Sequence, residues 1–565
     1  MRSSSKMCLL LVLLSFGASL TATAENLGPD DRQVSFTGPA GTVESDAVTP
    51  ALAYDNLNQR YLSVWSADEN DGDFQIYGQM LSGASGASIG SPFLIGATGL
   101  PGSDNRQPAV AFNDVDQVYL VVWSSDATVP GAYEILGQAV SVDGQLVGST
   151  NRYSDMGTPD LDVQFDAVTP DLVWHPGLGS FVVVWAGDDD TGDLVDGHFE
   201  LYGQLVNGTN RAETGANDFR ISISGPGIAG NDATNPAIAI TDDPQRWFVA
   251  FEGDINDDGI HDPEVWIYGG TGDVPDGDAF LVSLMGSGVS DDGLSARNPD
   301  LVWNAVSSEL VCIWDGDHGG GSPRTVYAQR ALPDGTIVGV AIDLSTPVSA
   351  MTPLRESIEP AVAVNPVTGD WFVTWRGDLD DSFSHFNHEI WATRCDANGV
   401  LLVNEPFVIS DMSPGHVRGA GAGAPAVGLN AHHDYKLIIW SGDLDSTPGG
   451  ELEIFAQGWA DNALSAANDT PGVVASQLHG AVPNPFNPVT KIEFAMAQAE
   501  HVKLSVYDIA GREVVTLVDE DRGAGLHAVQ WDGRDAAGRK QASGVYLYRF
   551  ETPSFAQTRR MMLVK

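Results

Sequence analysis

Seven times along this chain a proline opens a short apolar segment, and fifteen residues later a second such segment ends on an aromatic residue. The first unit runs from Pro50-Ala51-Leu52-Ala53-Tyr54 to Tyr61-Leu62-Ser63-Val64-Trp65. It returns from Pro108 to Trp123, Pro170 to Trp185, Pro236 to Phe251, Pro299 to Trp314, Pro360 to Trp375 and Pro425 to Trp440. Successive units lie 58 to 66 residues apart, so every change of length falls outside the fifteen-residue span. A constant unit with variable connections is how a repeated hairpin with surface loops behaves.

Within each unit the two apolar segments flank a turn such as Asn365-Pro366-Val367-Thr368-Gly369, which predicts two antiparallel strands. The second strand is apolar at both parities, Tyr119, Val121 and Trp123 against Leu120 and Val122, so it needs packed neighbours on both faces. A third strand follows (Glu134-Ile135-Leu136-Gly137-Gln138), then a turn pair such as Asp143-Gly144 or Asn398-Gly399. A fourth strand closes the repeat, as in Asp218-Phe219-Arg220-Ile221-Ser222. Four antiparallel strands repeated seven times predict an all-β fold, a seven-bladed β-propeller over residues 25–460. A linear solenoid would carry the same repeats, but the ends of the chain argue against it. The seventh unit stops after its third strand, Glu453-Ile454-Phe455-Ala456-Gln457, while a spare strand, Gln33-Val34-Ser35-Phe36, precedes the first. An N-terminal strand that completes the last blade closes the ring and removes both open sheet edges.

Antiparallel pairing puts the end of each second strand on the same rim as the start of the first. Three residues past every aromatic stands an aspartate: Asp68, Asp126, Asp188, Asp254, Asp317, Asp378 and Asp443. Four residues before the proline the chain is acidic in five units (Asp46, Asp104, Asp166, Asp232 and Glu356), with Ser295 and Gly421 in the other two. This predicts one carboxylate-bearing rim, whose side chains either close turns by accepting backbone N–H groups or form a ligand-binding surface. The loop after the fourth unit resembles calcium loops, with Asp254, Asn256 and Asp258 at alternating positions and Asp262 at the ninth. Its twelfth position is Val265, with Glu264 beside it, so a solvated acidic turn is the alternative to a Ca²⁺ site. His385 and His388, three apart among carboxylates, are candidate metal ligands or proton carriers on that rim, or simply polar loop residues. The repeated tryptophans read as core between blades. No serine-nucleophile motif, phosphate-cradling loop or paired-cysteine zinc motif is present.

The chain carries 76 acidic and 28 basic side chains, a net charge of −48, which argues against nucleic acid and against anionic lipid as partners. The charge is unevenly placed: residues 25–480 hold 66 acidic and 15 basic groups, whereas residues 481–565 are +1. At the N-terminus, Arg2 and Lys6 precede an apolar run from Met7 to Leu14 and an Ala22-Thr23-Ala24 site. These are the parts of a secretory signal peptide over residues 1–24, and the run is too short to span a bilayer. Cys8 leaves with it, and Cys312 and Cys395 read as two small buried thiols, although a disulfide between them is open.

A polar linker, 461–480, leads to a C-terminal module over 481–565 with alternating strands and glycine turns, which predicts a small Ig-like β-sandwich. It contains Pro483-Asn484-Pro485-Phe486-Asn487-Pro488, Tyr507-Asp508-Ile509-Ala510-Gly511-Arg512, Trp531-Asp532-Gly533-Arg534-Asp535, Ser543-Gly544-Val545-Tyr546 and a basic end at Arg559-Arg560. These motifs, in this order, resemble the FlgD-like Ig domain and the C-terminal sorting domain of type IX secretion. The resemblance implies a bacterial protein that engages secretion machinery and is released or displayed outside the cell. The repeats are similar to uncharacterised exported repeat proteins, which implies no activity. The expectation is therefore a secreted or surface-displayed binding propeller for a glycan or extracellular protein, assisted by Ca²⁺. The alternative is a polysaccharide lyase or hydrolase using rim carboxylates and histidines.

Overall fold

The computed structural model describes residues 25–35, 46–68, 73–97, 103–156, 165–188, 197–222, 232–254, 263–283, 295–317, 323–346, 356–378, 388–403, 406–412, 421–431, 434–443 and 452–460 of the repeat region, and 477–482, 486, 488–496, 500–508, 512–522, 525–553 and 556–564 of the C-terminal module. The signal-peptide segment lies outside them. No helix occurs among the described residues, and none of them forms a helix long and apolar enough to cross a membrane.

The repeat region is a propeller-like series of four-stranded antiparallel sheets. Sheet I pairs Ala47–Asp55, Arg60–Asp68, Phe74–Ser82 and Ser88–Gly96 in chain order. Sheets II (105–152), III (167–220), IV (233–281), V (296–343) and VI (356–408) repeat the order. Sheet VII takes three strands from 426–460, and its fourth is the N-terminal strand Glu25–Gln33, paired from Glu25 opposite Ala460 to Gln33 opposite Phe455.

The two apolar parities of each second strand go where their pattern requires. Tyr119, Val121 and Trp123 pack into a core shared with sheet I, and Leu120 and Val122 into one shared with sheet III. A separate core of this kind joins each sheet to the next, including VII to I, where Val34 and Trp65 meet Ile439 and Ile454. The repeated aromatic is fully buried in every one, at 0–1% exposure, which confirms the tryptophans as core. It commonly faces a second ring across the strand, as Trp185 faces Tyr202 with ring centroids 6.4 Å apart.

The N-terminal strand begins earlier than the sequence suggests. Val34 and Ser35 lie just past it, where both amides donate to the Ile454 carbonyl at 2.6 and 3.4 Å. Ser35 Oγ donates to Glu453 and accepts the Ile454 N–H. The same clasp ends other sheets: Ser154 on Glu134 and Ile135, Ser222 on Glu200 and Leu201, and Ser410 on Glu389 and Ile390. Ser283 and Ser345 accept the Val265 and Val326 amides in the same way. The N-terminal segment therefore carries the fourth-strand signature that sheet VII would otherwise lack.

Each first strand in sheets I to VI shifts register around the residue before its proline: Thr49, Gln107, Thr169, Asn235, Asn298 and Glu359. These six sit at φ of 50–53°, in the left-handed region. A bulge is where a strand tolerates proline, because the extra residue leaves the ladder without needing its N–H. Left-handed geometry costs a non-glycine residue about 1–2 kcal/mol, repeated here at six matching places. Sheet VII also slips by one residue, between the Ala422–Gly442 bridge and the Ala426–Ile439 pair, but without a left-handed residue before Pro425.

The C-terminal module has a three-stranded sheet (Gln477–Val482, Thr490–Met496, Gly525–Trp531) and a four-stranded one (Glu513–Arg522, Glu500–Asp508, Gly544–Glu551, Ala556–Leu563). One core that includes Ile492, Leu504, Trp531 and Phe550 fills it. The motif residues are its pins. Phe486 is buried 5.4 Å from the Trp531 ring and exchanges backbone hydrogen bonds with Met562 and Val564. Asp508 accepts the Arg512 N–H at 3.0 Å, and Trp531 Nε1 donates to the Arg534 carbonyl at 2.8 Å. Cys312 and Cys395 are both buried and free, and burial pushes their thiols up, Cys395 to about 12.

Candidate functional site

The seven rim aspartates fall together with the residues four before each proline, as antiparallel pairing demands. Asp68, Asp126 and Asp188 donate their backbone N–H to the carbonyls of Asp46, Asp104 and Asp166, and Asp317 and Asp443 do so to Ser295 and Gly421. Six of the seven are buried, and Asp317 is half-buried. The side-chain hydrogen bonds described for Asp126, Asp188 and Asp317 go to backbone amides. Asp126 accepts the Asp104 amide at 2.5 Å and the Gly131 amide at 2.8 Å, and Asp188 accepts the Gly197 amide at 2.9 Å. The second carboxylate series joins neighbouring sheets. Asp104, Asp166, Asp232 and Asp46 accept the amides of Phe74, Tyr133, Phe199 and Leu452, the first three in the third strand of the sheet before and Leu452 just ahead of it.

Ionised carboxylates make strong acceptors for backbone N–H groups. Asp126→Ala therefore leaves two amides without their acceptor, and we expect a loss of about 1–3 kcal/mol in thermal unfolding. Unfolding indistinguishable from wild type would mean that this carboxylate does not hold the rim.

The residue after the repeated aromatic breaks the repeat. It is Ser66, Ser124 and Ala186 in sheets I to III and Ser441 in sheet VII, but Glu252, Asp315 and Arg376 in sheets IV to VI. The three charged side chains build a network on their side of the rim. Glu252 accepts the Asn298 amide at 2.9 Å, and Asp315 accepts the Glu359 amide at 2.9 Å. Arg324 pairs with Asp315 at 2.5 Å, and Arg376 with Glu359 at 2.6 Å. Burial pushes the Asp315 carboxyl up to about 6, although Arg324 and Asn298 pull it back.

Where the small residues stand, a cavity of about 410 Å³ opens instead. Ser66 and Ser124 lie in it, with Thr49 and Gln107 from the bulges of sheets I and II. Phe74 and Tyr133, which stand at matching places in the third strands of those sheets, add aromatic lining, and Arg106, Val48 and Val168 complete it. Burial, then the Asp126 and Asp104 carboxylates, push the Tyr133 phenol up, so it is a neutral donor at ordinary pH. None of these residues stands out in the sequence alone. The available signal was the serine–serine–alanine run opposite the charged run at one repeat position.

His388 opens the third strand of sheet VI, His388–Cys395, rather than lying in a loop. It is buried, its Nε2 is 3.5 Å from Glu356, and its hydrogen bond holds that carboxyl below its usual range. His198 stands likewise, 3.5 Å from Glu200 and 3.6 Å from Asp232, and the Glu200 bond pushes it up. His385 and the calcium-loop residues Asn256, Asp258 and Asp262 lie outside the described residues; Asp254 is buried at the loop's start. Among the described residues no three His, Cys, Asp or Glu side chains gather closely enough to hold a metal ion.

Residues 486–553 match the FlgD Ig-like domain family, a span that takes in the Tyr507–Arg512, Trp531–Asp535 and Ser543–Tyr546 motifs; the match does not extend to the repeats. No curated protein matches the chain in sequence. Among solved structures it is similar to an ulvan lyase bound to a glucuronate–sulfated rhamnose saccharide (11% identity, 76% of this chain and 95% of that one, TM-score 0.45). It is also similar to an α-L-arabinanase of Penicillium chrysogenum with arabinobiose (14%, 67% and 100%, 0.40). A third likeness is to the parainfluenza virus 5 hemagglutinin-neuraminidase ectodomain (10%, 78% and 86%, 0.38). With TM-scores below 0.5, these likenesses assign neither substrate nor reaction to this chain.

Proposed function

We propose that residues 25–460 are one closed seven-bladed β-propeller, exported by the N-terminal signal and the C-terminal module, that binds a glycan or protein ligand outside the cell on its carboxylate rim. The ring reading is supported by the seven inter-sheet cores, which close from VII to I, and by a second cavity, of about 680 Å³, on the opposite rim. Residues from sheets I to IV, VI and VII, among them Tyr54, Phe112, Trp174 and Leu429, line that one space, which suits the mouth of a common channel. The export reading rests on the signal-like N-terminus and on the resemblance of the C-terminal motifs to the type IX sorting domain. The Asp254–Asp262 loop on the same rim is the place proposed for Ca²⁺.

The observation that carries the binding reading is the broken repeat: two serines stand where sheets IV to VI carry charged side chains, and a lined cavity lies beside them. Ser124→Arg refills it with a side chain of the kind that sheet VI carries. In a screen of immobilised glycans and extracellular proteins, with and without Ca²⁺, the full chain retains a ligand and Ser124→Arg loses at least tenfold in affinity. Equal binding by both proteins would place the ligand elsewhere.

A further inference from the structure

We infer that the cavity between sheets I and II selects an uncharged sugar ring, a residue of a neutral saccharide, an inference that rests on the cavity being the binding site. Its charges are already matched within the protein. Arg106 is paired with Asp104 at 2.6 Å and lies over the Phe74 ring, 5.1 Å from its centroid. The other Asp104 oxygen accepts the Phe74 amide, both Asp126 oxygens accept amides, and Asp166 accepts the Tyr133 amide. A cationic ligand therefore meets an aromatic face covered by arginine and carboxylates that are engaged. An anionic ligand meets Asp104, Asp126 and Asp166 against one arginine, in a region whose charge is −51.

What the cavity offers is neutral. Ser66 and Tyr133 bring hydroxyl donors, while Ser124 Oγ donates to the Ala167 carbonyl at 3.2 Å and Thr49 Oγ1 to Ser66 Oγ at 3.3 Å, so these two face the space as acceptors. Gln107 accepts the Thr169 amide with Oε1 at 3.1 Å, which leaves its Nε2 donor for the space it lines. The bulges at Thr49 and Gln107, with φ of 50° and 53°, turn the chain at these two lining residues. Neutral donors and acceptors beside the Tyr133 ring suit a ring with hydroxyl edges and a C–H face. At about 410 Å³ the space lies near the small end of ligand pockets, so it takes a short piece of a chain rather than a long one.

Three probe sets test the inference on the full chain by calorimetric titration: neutral gluco-, xylo- and galacto-oligosaccharides, an oligogalacturonate, and a pool of short peptides. A neutral oligosaccharide is expected to bind, and to bind at least tenfold more weakly to Tyr133→Ala and to Gln107→Ala, with Tyr133→Phe much closer to wild type. Unfolding temperatures of the variants separate lost binding from lost folding. Oligogalacturonate binding more tightly than every neutral sugar overturns the inference. So does a peptide that binds and is lost in Ser124→Arg while no sugar binds, although the cavity then remains the site. A ligand indifferent to Ser124→Arg overturns the site itself.

Discussion

Deleting residues 25–35 destabilises the whole repeat region, by roughly 5 kcal/mol or more of a total that for most domains is about 5–15. The segment pairs along Glu453–Ala460, buries Val34 in the core between sheets VII and I, and clasps Glu453 through Ser35. Its loss leaves Glu453 buried without that hydroxyl and turns the Glu453–Ala460 strand into an open edge, a template for aggregation. Ser35→Ala alone is the milder version, a loss of about 1–3 kcal/mol from one buried charge-assisted bond. Thermal unfolding followed by tryptophan fluorescence reads both, because the repeated tryptophans are core. A deletion variant that unfolds like wild type would falsify the closed-ring reading.

The repeat was legible because its causes are local. Proline, apolar parity and turn pairs act within fifteen residues, and so predicted the hairpins, their two buried faces and the closing strand. The strand's true bounds were not legible, because the pairing partner of Glu25–Gln33 lies more than four hundred residues away. The serine clasp was readable in principle, as an apolar residue followed by serine at the end of six fourth strands, but serine is too common to stand out. The polar residue before each proline hid its meaning for another reason. A left-handed residue before proline is disfavoured on its own, and only the ladder around it imposes the bulge.

The site was half legible. Topology put the aspartates on one rim, and it offered two readings of them. For Asp126 and Asp188 the described hydrogen bonds go to backbone amides of their own sheet's rim, and for Asp104, Asp166 and Asp232 to amides of the neighbouring sheet. Repetition itself was the warning, since a need shared by all seven sheets concerns the sheets. A site that treats one ligand differs from blade to blade, and that difference sits at Ser66, Ser124, Glu252, Asp315 and Arg376, where the repeat fails. Phe74 and Tyr133 come together only through the packing of sheet I on sheet II.

The second large effect is a stability that rises as the pH falls from 8 to 5. Asp171, next to Pro170 in the first strand of sheet III, accepts the Leu172 amide at 2.8 Å and the Ile238 amide of sheet IV at 2.9 Å. Those bonds favour its charged form, yet burial outweighs them and pushes the carboxyl up to about 7, with Asp300 adding to the rise. Asp218 is likewise pushed up to about 7 and Asp315 to about 6, in each case chiefly by burial. An aspartate that titrates near 4 unfolded and near 7 folded binds more proton in the folded state across that window. Its contribution is therefore complete below about pH 4 and is lost as the pH climbs to 7. Each pH unit separating the unfolded from the folded titration is worth about 1.4 kcal/mol. With part of its surface open, Asp171 alone contributes on the order of 1–3 kcal/mol. Glu356, held low by His388, works in the opposite sense and is lost as the pH falls through its folded value. Among the carboxyls of the repeat region Asp55, Asp166, Glu213 and Asp300 are raised as well, against Glu356 and the exposed Asp334 lowered, which gives the sum its sign, and relief of repulsion in so acidic a region adds to it. Asp171→Asn separates the site from that background: the variant is less stable at pH 5, and its unfolding temperature changes less between pH 5 and 8 than that of wild type. A wild-type unfolding temperature that climbs from pH 5 to 8 contradicts the buried carboxyls, and an unchanged slope in Asp171→Asn takes Asp171 out of the account.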